Sequence, residues 1–484
     1  MHHLIRSSLL SLALAALIGS IAGTGAIAKT TGSIVVSPVV DVTGDDTSQN
    51  ESPLAVNPTN PLNMITGNND WNYNDGCGMN ATFDGGKTWT PTLPNGFLPG
   101  ITKFTNDPNV PGTGAYDAGG DPVVAFGPDG TGYFVCQAFN FTAPYAIALL
   151  VNRSSDGGRT WLSTGLTQVS TWNGDGKSRG GIGQFPDHES IHVDLSPTSP
   201  FYGSVYVTWA QFDGLQGTHS PVYVAVSRDG ARTFTTPAKV NVGSIRNNQD
   251  QRIVTAPDGT AYLTFDNGIQ GGKGTALYVT ASHDGGTTWD APFRFGTFTE
   301  AVCIFPPHCF NISGGAFRAG GSYPAPAYDP VRGRLYVAYA DIVAGKAQIF
   351  LTWAAATELT IWSAPQAIAP ASGDRFSAEL GIAPNGRIDV SFYDRSYSAN
   401  RLVDFTYATS SDGGVTWGTA RVTPTGFDPS TWGVPSSSAL GYRPFIGDYN
   451  AIVSTNANAR LVWTGFAQPQ PFNLEIDYAT VTPN

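Results

Sequence analysis

The segment Ser410-Ser411-Asp412-Gly413-Gly414-Val415-Thr416-Trp417 decides the fold, because it recurs along the chain. Its other copies run from Thr82 through Asp84 and Gly86 to Trp89, from Ser154 through Asp156 and Gly158 to Trp161, from Ser227 through Asp229 to Phe234, and from Ser282 through Asp284 and Gly286 to Trp289. The pattern is [ST]-x-D-x-G-x-x-W; the third copy has Ala231 for the glycine and Phe234 for the tryptophan. Each copy follows an alternating stretch such as Ala276 to Ser282 and precedes another strand, so the glycines supply the positive φ of a hairpin turn. The aspartate can accept backbone N–H groups within that turn while the ring buries beneath it. These residues build structure.

The interval from Asp284 to Asp412 is about twice the others, so one unit lacks the motif, and Thr352 to Trp362 occupies its place. A second series gives the same count: Tyr133 to Cys136, Tyr206 to Trp209, Tyr262 to Phe265, Tyr336 to Tyr339, Ile388 to Phe392 and Leu461 to Trp463 each follow a turn and read as strands. Such a period marks a radial repeat architecture. The expectation is an all-β propeller of four-stranded antiparallel blades, seven in number, with six as the alternative. The last unit, with strands over Asp448 to Ser454, Arg460 to Thr464 and Leu474 to Thr480, is one strand short. Ser33 to Ser37 is expected to supply it and close the ring.

The motif resembles the Asp-box (BNR) repeat of the sialidase superfamily, and the resemblance covers essentially the whole chain after residue 28. It implies a propeller, and it implies a structural role for Asp84, Asp156, Asp229, Asp284 and Asp412. It does not imply a reaction, since hydrolases, lyases and non-catalytic propellers share it. True sialidases of the superfamily resemble one another in an Arg-Ile-Pro motif, three arginines around the substrate carboxylate, a Tyr/Glu pair and an acidic proton donor. The nearest match here is Arg252-Ile253-Val254, far from the N-terminus, so the arginine triad does not carry over.

Residues 1–28 read as a secretory signal: Arg6, an apolar run from Leu9 to Ile21, then Ala26-Ile27-Ala28. The rest, 29–484, reads as a single propeller domain that is secreted, extracellular or periplasmic. No later apolar run is long enough to span a membrane. A formal charge of −11 without a Lys/Arg cluster gives no electrostatic support for a nucleic-acid partner. A monomer acting on a glycan or glycoconjugate is the expected state. Of the four cysteines, Cys303 and Cys309 bracket Pro306-Pro307 and are expected to pair locally, leaving Cys77 with Cys136.

Aligning the innermost strand of each blade puts Glu51, Asp121, His188, Asp250, Tyr323, Ser377 and Asp448 at one level around the axis, with Asp187 and Glu189 beside His188. Asp250, Asp448, Asp121, Glu51 and Glu189 are the candidate catalytic groups, in that order. Arg252 and Arg443 lie close to Asp250 and Asp448 in sequence, and with His188, Tyr323, Tyr393, Asp394, Arg395 and Trp71 they are the candidate substrate contacts. Aromatic rings stack on sugar faces, and carboxylates bind hydroxyls or move protons. The plain alternative is that strand-start acids accept turn N–H bonds and that Arg395 pairs with Asp394 or a neighbouring blade.

His188-Glu189-Ser190-Ile191-His192 matches H-E-x-x-H, but its alternating apolar residues make it a strand. At about 3.3 Å per residue the two imidazoles then stand too far apart to share zinc. No metal or cofactor is expected. A glycoside hydrolase is the leading functional expectation, a polysaccharide lyase a lesser one, and a non-catalytic glycan- or protein-binding propeller the alternative.

Overall fold

Alternating sequence and tight turns produce seven antiparallel sheets in a computed structural model that describes residues 33–44, 47–71, 76–93, 101–103, 111–140, 146–162, 167–173, 184–213, 220–241, 243–268, 275–299, 322–428, 434–435, 442–443, 445–466 and 473–483. The innermost strands are Leu54–Val56 with Gln49–Asn50 in blade 1, Ala118–Phe126 in blade 2, Gln184–Val193 in blade 3 and Gln249–Thr255 in blade 4. Ala325–Asp329, Arg375–Ile382 and Ala451–Ser454 serve blades 5, 6 and 7. Each touches the innermost strand of the next blade, and the seventh touches the first, so the sheets form a closed propeller. The one helical turn among the described residues is Ser396–Ser398. None of the described helices is long and apolar enough to cross a membrane.

The core lies between blades. Ile65 and Met79 of blade 1 meet Phe134, Leu150 and Trp161 of blade 2, and full burial of such side chains contributes about 1.5–3 kcal/mol each. Cys77 and Cys136 are bonded across this same seam. Cys303 and Cys309 lie outside the described residues.

The five repeated turns share one construction. Asp412 Oδ1 accepts from the Val415 and Thr416 amides and from Ser410 Oγ, at 3.0, 3.0 and 2.8 Å, while Oδ2 accepts from Thr416 Oγ1 at 2.6 Å. Asp84, Asp156, Asp229 and Asp284 take the corresponding partners. Burial alone would raise these carboxyls. Hydrogen bonds from Thr88, Thr233 and Thr416 prevail and hold Asp84, Asp229 and Asp412 at about 2. In blade 5 the motif is replaced by a plain hairpin between Lys346–Ala355 and Glu358–Trp362.

The ring closes as expected, and further along than expected. Val35 and Val36 pair with Thr482 and Val481, and Val40 and Asp41 pair with Tyr478 and Asp477. The C-terminal strand is Ile476–Thr482, so two short N-terminal strands complete blade 7.

Candidate functional site at the axis

The innermost strands carry a repeated irregularity. Their registers slip by a bulge between Gly120 and Val123, Asp187 and Ser190, Gln249 and Arg252, and Phe376 and Glu379. One residue in each bulge is left-handed: Asp121 at φ 56°, His188 at 52°, Asp250 at 60° and Ser377 at 51°. Glu51 of blade 1 is also left-handed, at 61°. Non-glycine residues adopt this conformation at a cost of order 1–3 kcal/mol, and bulges re-aim side chains. Five of the seven ring positions are therefore the residues that the bulges redirect.

The redirected groups contact one another across blades. His188 Nδ1 lies 3.0 Å from Asp250 Oδ1, both nearly fully buried. The Tyr323 ring stands perpendicular to the imidazole at 5.0 Å, and the Tyr449 ring tilts against it at 6.0 Å. Tyr449 Oη donates to the Pro122 carbonyl at 2.9 Å, so a side chain of blade 7 reaches blade 2. Asn69 Nδ2 donates to Glu51 Oε2 at 2.5 Å and to Asp121 Oδ1 at 3.4 Å, while the Asp448 amide donates to Glu51 Oε1 at 3.1 Å. Asp121 and Asp448 are part-exposed, as is Asp187 beside His188.

Arg252 does not pair with Asp250. Its Nη1 reaches Glu379 Oε2 of blade 6, passing over blade 5. Glu379 follows Ser377 at the same offset that Arg252 follows Asp250, an alignment signal that the strand starts alone did not reveal. Of Arg443 only the backbone is described, paired with Val434.

Burial sorts the protonation states. It lifts Glu189 well above the carboxylate range, with Asp121 and Asp187 adding to the effect. The two Glu189 oxygens face the Gln137 and Glu189 amides without a well-formed hydrogen bond to either. Asp266, at the end of the second strand of blade 4, is likewise lifted by burial and then by the charge of Asp250. Burial and then Arg252 lower His188, against the upward pull of Asp448, Asp187 and Asp121, so the imidazole is neutral at pH 7. Burial and the surrounding carboxylates keep the Tyr449 phenol protonated.

The remaining expected contacts lie in the walls. Tyr393 is buried, with Oη donating to the Thr464 carbonyl of blade 7 at 3.1 Å. Asp394 binds Arg375 at 2.9 Å, not Arg395. Arg395 is buried and donates to the Asn400 and Arg401 carbonyls. Trp71 Nε1 donates to Asn50 Oδ1 at 3.1 Å. His192 Nε2 lies 2.9 Å from Thr255 Oγ1 of blade 4, away from His188, and no group of three or more potential metal ligands occurs among the described residues.

No family model matches the chain, and no curated protein matches it in sequence. Solved propellers do. A protein of unknown function from Dyadobacter fermentans is similar at 11% identity and a TM-score of 0.50, over 93% of this chain and 99% of that one. An ulvan lyase of a new polysaccharide lyase family is similar at 11% identity and 0.50, over 91% and 95%. The intramolecular trans-sialidase of Ruminococcus gnavus reaches 12% and 0.47, over 78% and 97%, which is too loose to carry an argument. The first two likenesses agree with the fold and carry nothing beyond it.

Proposed function

We propose that the protein is a secreted, sialidase-like glycan-acting enzyme, in the first place a glycoside hydrolase, working at the axis of the propeller. The observation that carries the reading is the ring of bulges, which turns Glu51, Asp121, His188 and Asp250 toward one another beside Asp448. Within that cluster burial keeps protons on Glu189 and Asp266, and an acid held protonated among other carboxyls is what acid–base chemistry on a glycoside needs. Asp121 and Asp448, being part-exposed, are the acids best placed to meet a sugar. Tyr323 and Tyr449 offer ring faces or edges. Glu51, held by Asn69 and the Asp448 amide, orients Asp448. Hydrolysis of sialosides is not favoured, because Arg252 is committed to Glu379.

One observation favours elimination from a uronate polymer as a second reading: a neutral imidazole beside two tyrosines can take a proton from carbon. A broad panel of neutral, sialylated and uronate-containing glycans, read for new reducing ends and for unsaturated products, tests both. New reducing ends without unsaturation support hydrolysis, and unsaturation supports elimination. Binding without products supports the non-catalytic alternative, and neither binding nor products overturns the glycan reading.

A further inference from the structure

We propose that His188 is the proton acceptor of the axial site, its ring oriented by a buried relay from Asp266 through Asp250. The inference rests on the glycan-acting reading and moves the central role from the carboxylates to the imidazole. Three independent features converge on it. His188 and Asp250 are both left-handed bulge residues, on adjacent blades, and the bulges turn them face to face. Nδ1 and Oδ1 stand 3.0 Å apart in a buried setting. Behind Asp250 lies Asp266, set opposite Gln249 by strand register and itself fixed by the Gly268 amide, which donates to its Oδ1 at 2.8 Å.

Proton bookkeeping fixes the direction. The 3.0 Å approach of Nδ1 to Asp250 Oδ1 favours a proton on Nδ1, which a carboxylate there would accept. Asp266, which burial beside Asp250 keeps protonated, is placed to donate to the same carboxylate. The order is Asp266 O–H to Asp250 carboxylate, and His188 Nδ1–H to Asp250 carboxylate, which leaves Nε2 with the free lone pair. The logic is that of a carboxylate holding an imidazole in its reactive tautomer.

In hydrolysis, a water oxygen bonds to the anomeric carbon as its proton passes to Nε2. The glycosidic C–O bond breaks with its electron pair on the leaving oxygen, which takes a proton from a carboxylic acid of the ring. The imidazolium then returns its proton to solvent and the acid is reprotonated from solvent, so water is the only co-reactant consumed. Asp250 and Asp266 touch neither water nor sugar in this scheme and are positioning residues.

The test is long-range 1H–15N correlation of the His188 ring in 15N-labelled protein, assigned by loss of its signals in His188→Gln. The expected result is a protonated Nδ1 and an unprotonated Nε2 at neutral pH, with protonation of Nε2 displaced below the pH at which a free imidazole titrates. Asp250→Asn should transfer the proton to Nε2 in a measurable fraction, because an amide can donate to Nδ1. Asp266→Asn, which keeps a donor to Asp250, should hold the wild-type tautomer, and Asp266→Leu should mix the two. A protonated Nε2 in the wild type, or a tautomer indifferent to Asp250→Asn in a folded variant, overturns the proposal.

On any glycan that is turned over, His188→Gln should lower kcat on the order of a hundredfold or more with KM little changed. Wild-type kcat in that variant also overturns the proposal. If the tautomer is as expected but no glycan is processed, the glycan-acting reading fails and the relay stands.

Discussion

Ala231 sits at φ 61°, where the other four repeated turns have glycine at φ between 89° and 95°. The left-handed conformation costs an alanine about 1–2 kcal/mol, whereas its smaller unfolded-state entropy returns about 0.4–1 kcal/mol. Ala231→Gly should therefore stabilise the protein by about 0.5–1 kcal/mol, measured as a shift of the denaturant midpoint at constant m-value. An unchanged or lower midpoint would mean that the buried methyl packs well enough to offset the strain. Asp412 in the neighbouring type of turn answers to pH. Its carboxyl falls from an ordinary 3.8 to about 2 on folding, so its contribution is complete above 3.8 and disappears as pH drops toward 2. Asp412→Asn should lower the midpoint at neutral pH, flatten the fall between pH 4 and 2, and leave any axial activity per folded molecule intact. These turns were legible in the sequence because motif and hydrogen bonds are local: every Asp412 partner lies within four residues.

The innermost strand teaches a different lesson. Aligning these strands put the candidate residues at one level, yet the alignment could not show that the backbone turns left-handed at Glu51, Asp121, His188, Asp250 and Ser377. Nor could it pair Arg252 with Glu379, because radial position in a ring brings together residues of distant blades. Side-chain amides also tie the strand starts to the preceding blade in two places. Gln251 Nε2 donates to the His188 carbonyl of the preceding blade, and Asn450 Nδ2 donates to the Ser377 carbonyl at 2.9 Å. Glu189 follows His188 as Gln251 follows Asp250, but neither of its carboxyl oxygens has a hydrogen-bond partner among the described residues. Burial, with Asp121 and Asp187 nearby, keeps the carboxyl protonated. The sign follows: an acid raised on folding contributes most below its ordinary 4.5 and loses stability as pH rises toward the folded value. Glu189→Gln should therefore raise the melting temperature at pH 8 by roughly 2–5 °C, with the gain vanishing below about pH 4.5. An equal gain at every pH would show that the carboxyl is not the titrating group.

At the scale of the whole molecule, seven similar blades give each seam comparable packing, and closure decides whether the ring holds. Two covalent or hydrogen-bonded clasps act on it. Cys77–Cys136 closes a separation of 59 residues and joins blade 1 to blade 2, a loop for which chain entropy gives about 4 kcal/mol. The N-terminal strands clasp blade 7 through Val35, Val36, Val40 and Asp41, with the Ser37 and Val42 amides adding bonds to the Thr480 and Ile476 carbonyls. Without them the strand Ile476–Thr482 becomes an open edge, with a row of unpaired backbone groups. Removal also takes away the half-buried Ile34, Val36 and Val40 that pack on blade 7 and its neighbours, a loss of a few kcal/mol of apolar burial, on the order of 1 kcal/mol for each half-buried side chain. A chain lacking residues 1–40 and fused to a separate export signal should consequently melt well below the full protein, and the Cys77→Ala, Cys136→Ala double variant should add to that loss because the two clasps lie on different seams. An unchanged melting temperature on truncation would mean that blade 7 is held by its packing against blades 6 and 1 alone. A loss confined to the cysteine variant would place the weak seam between blades 1 and 2 instead.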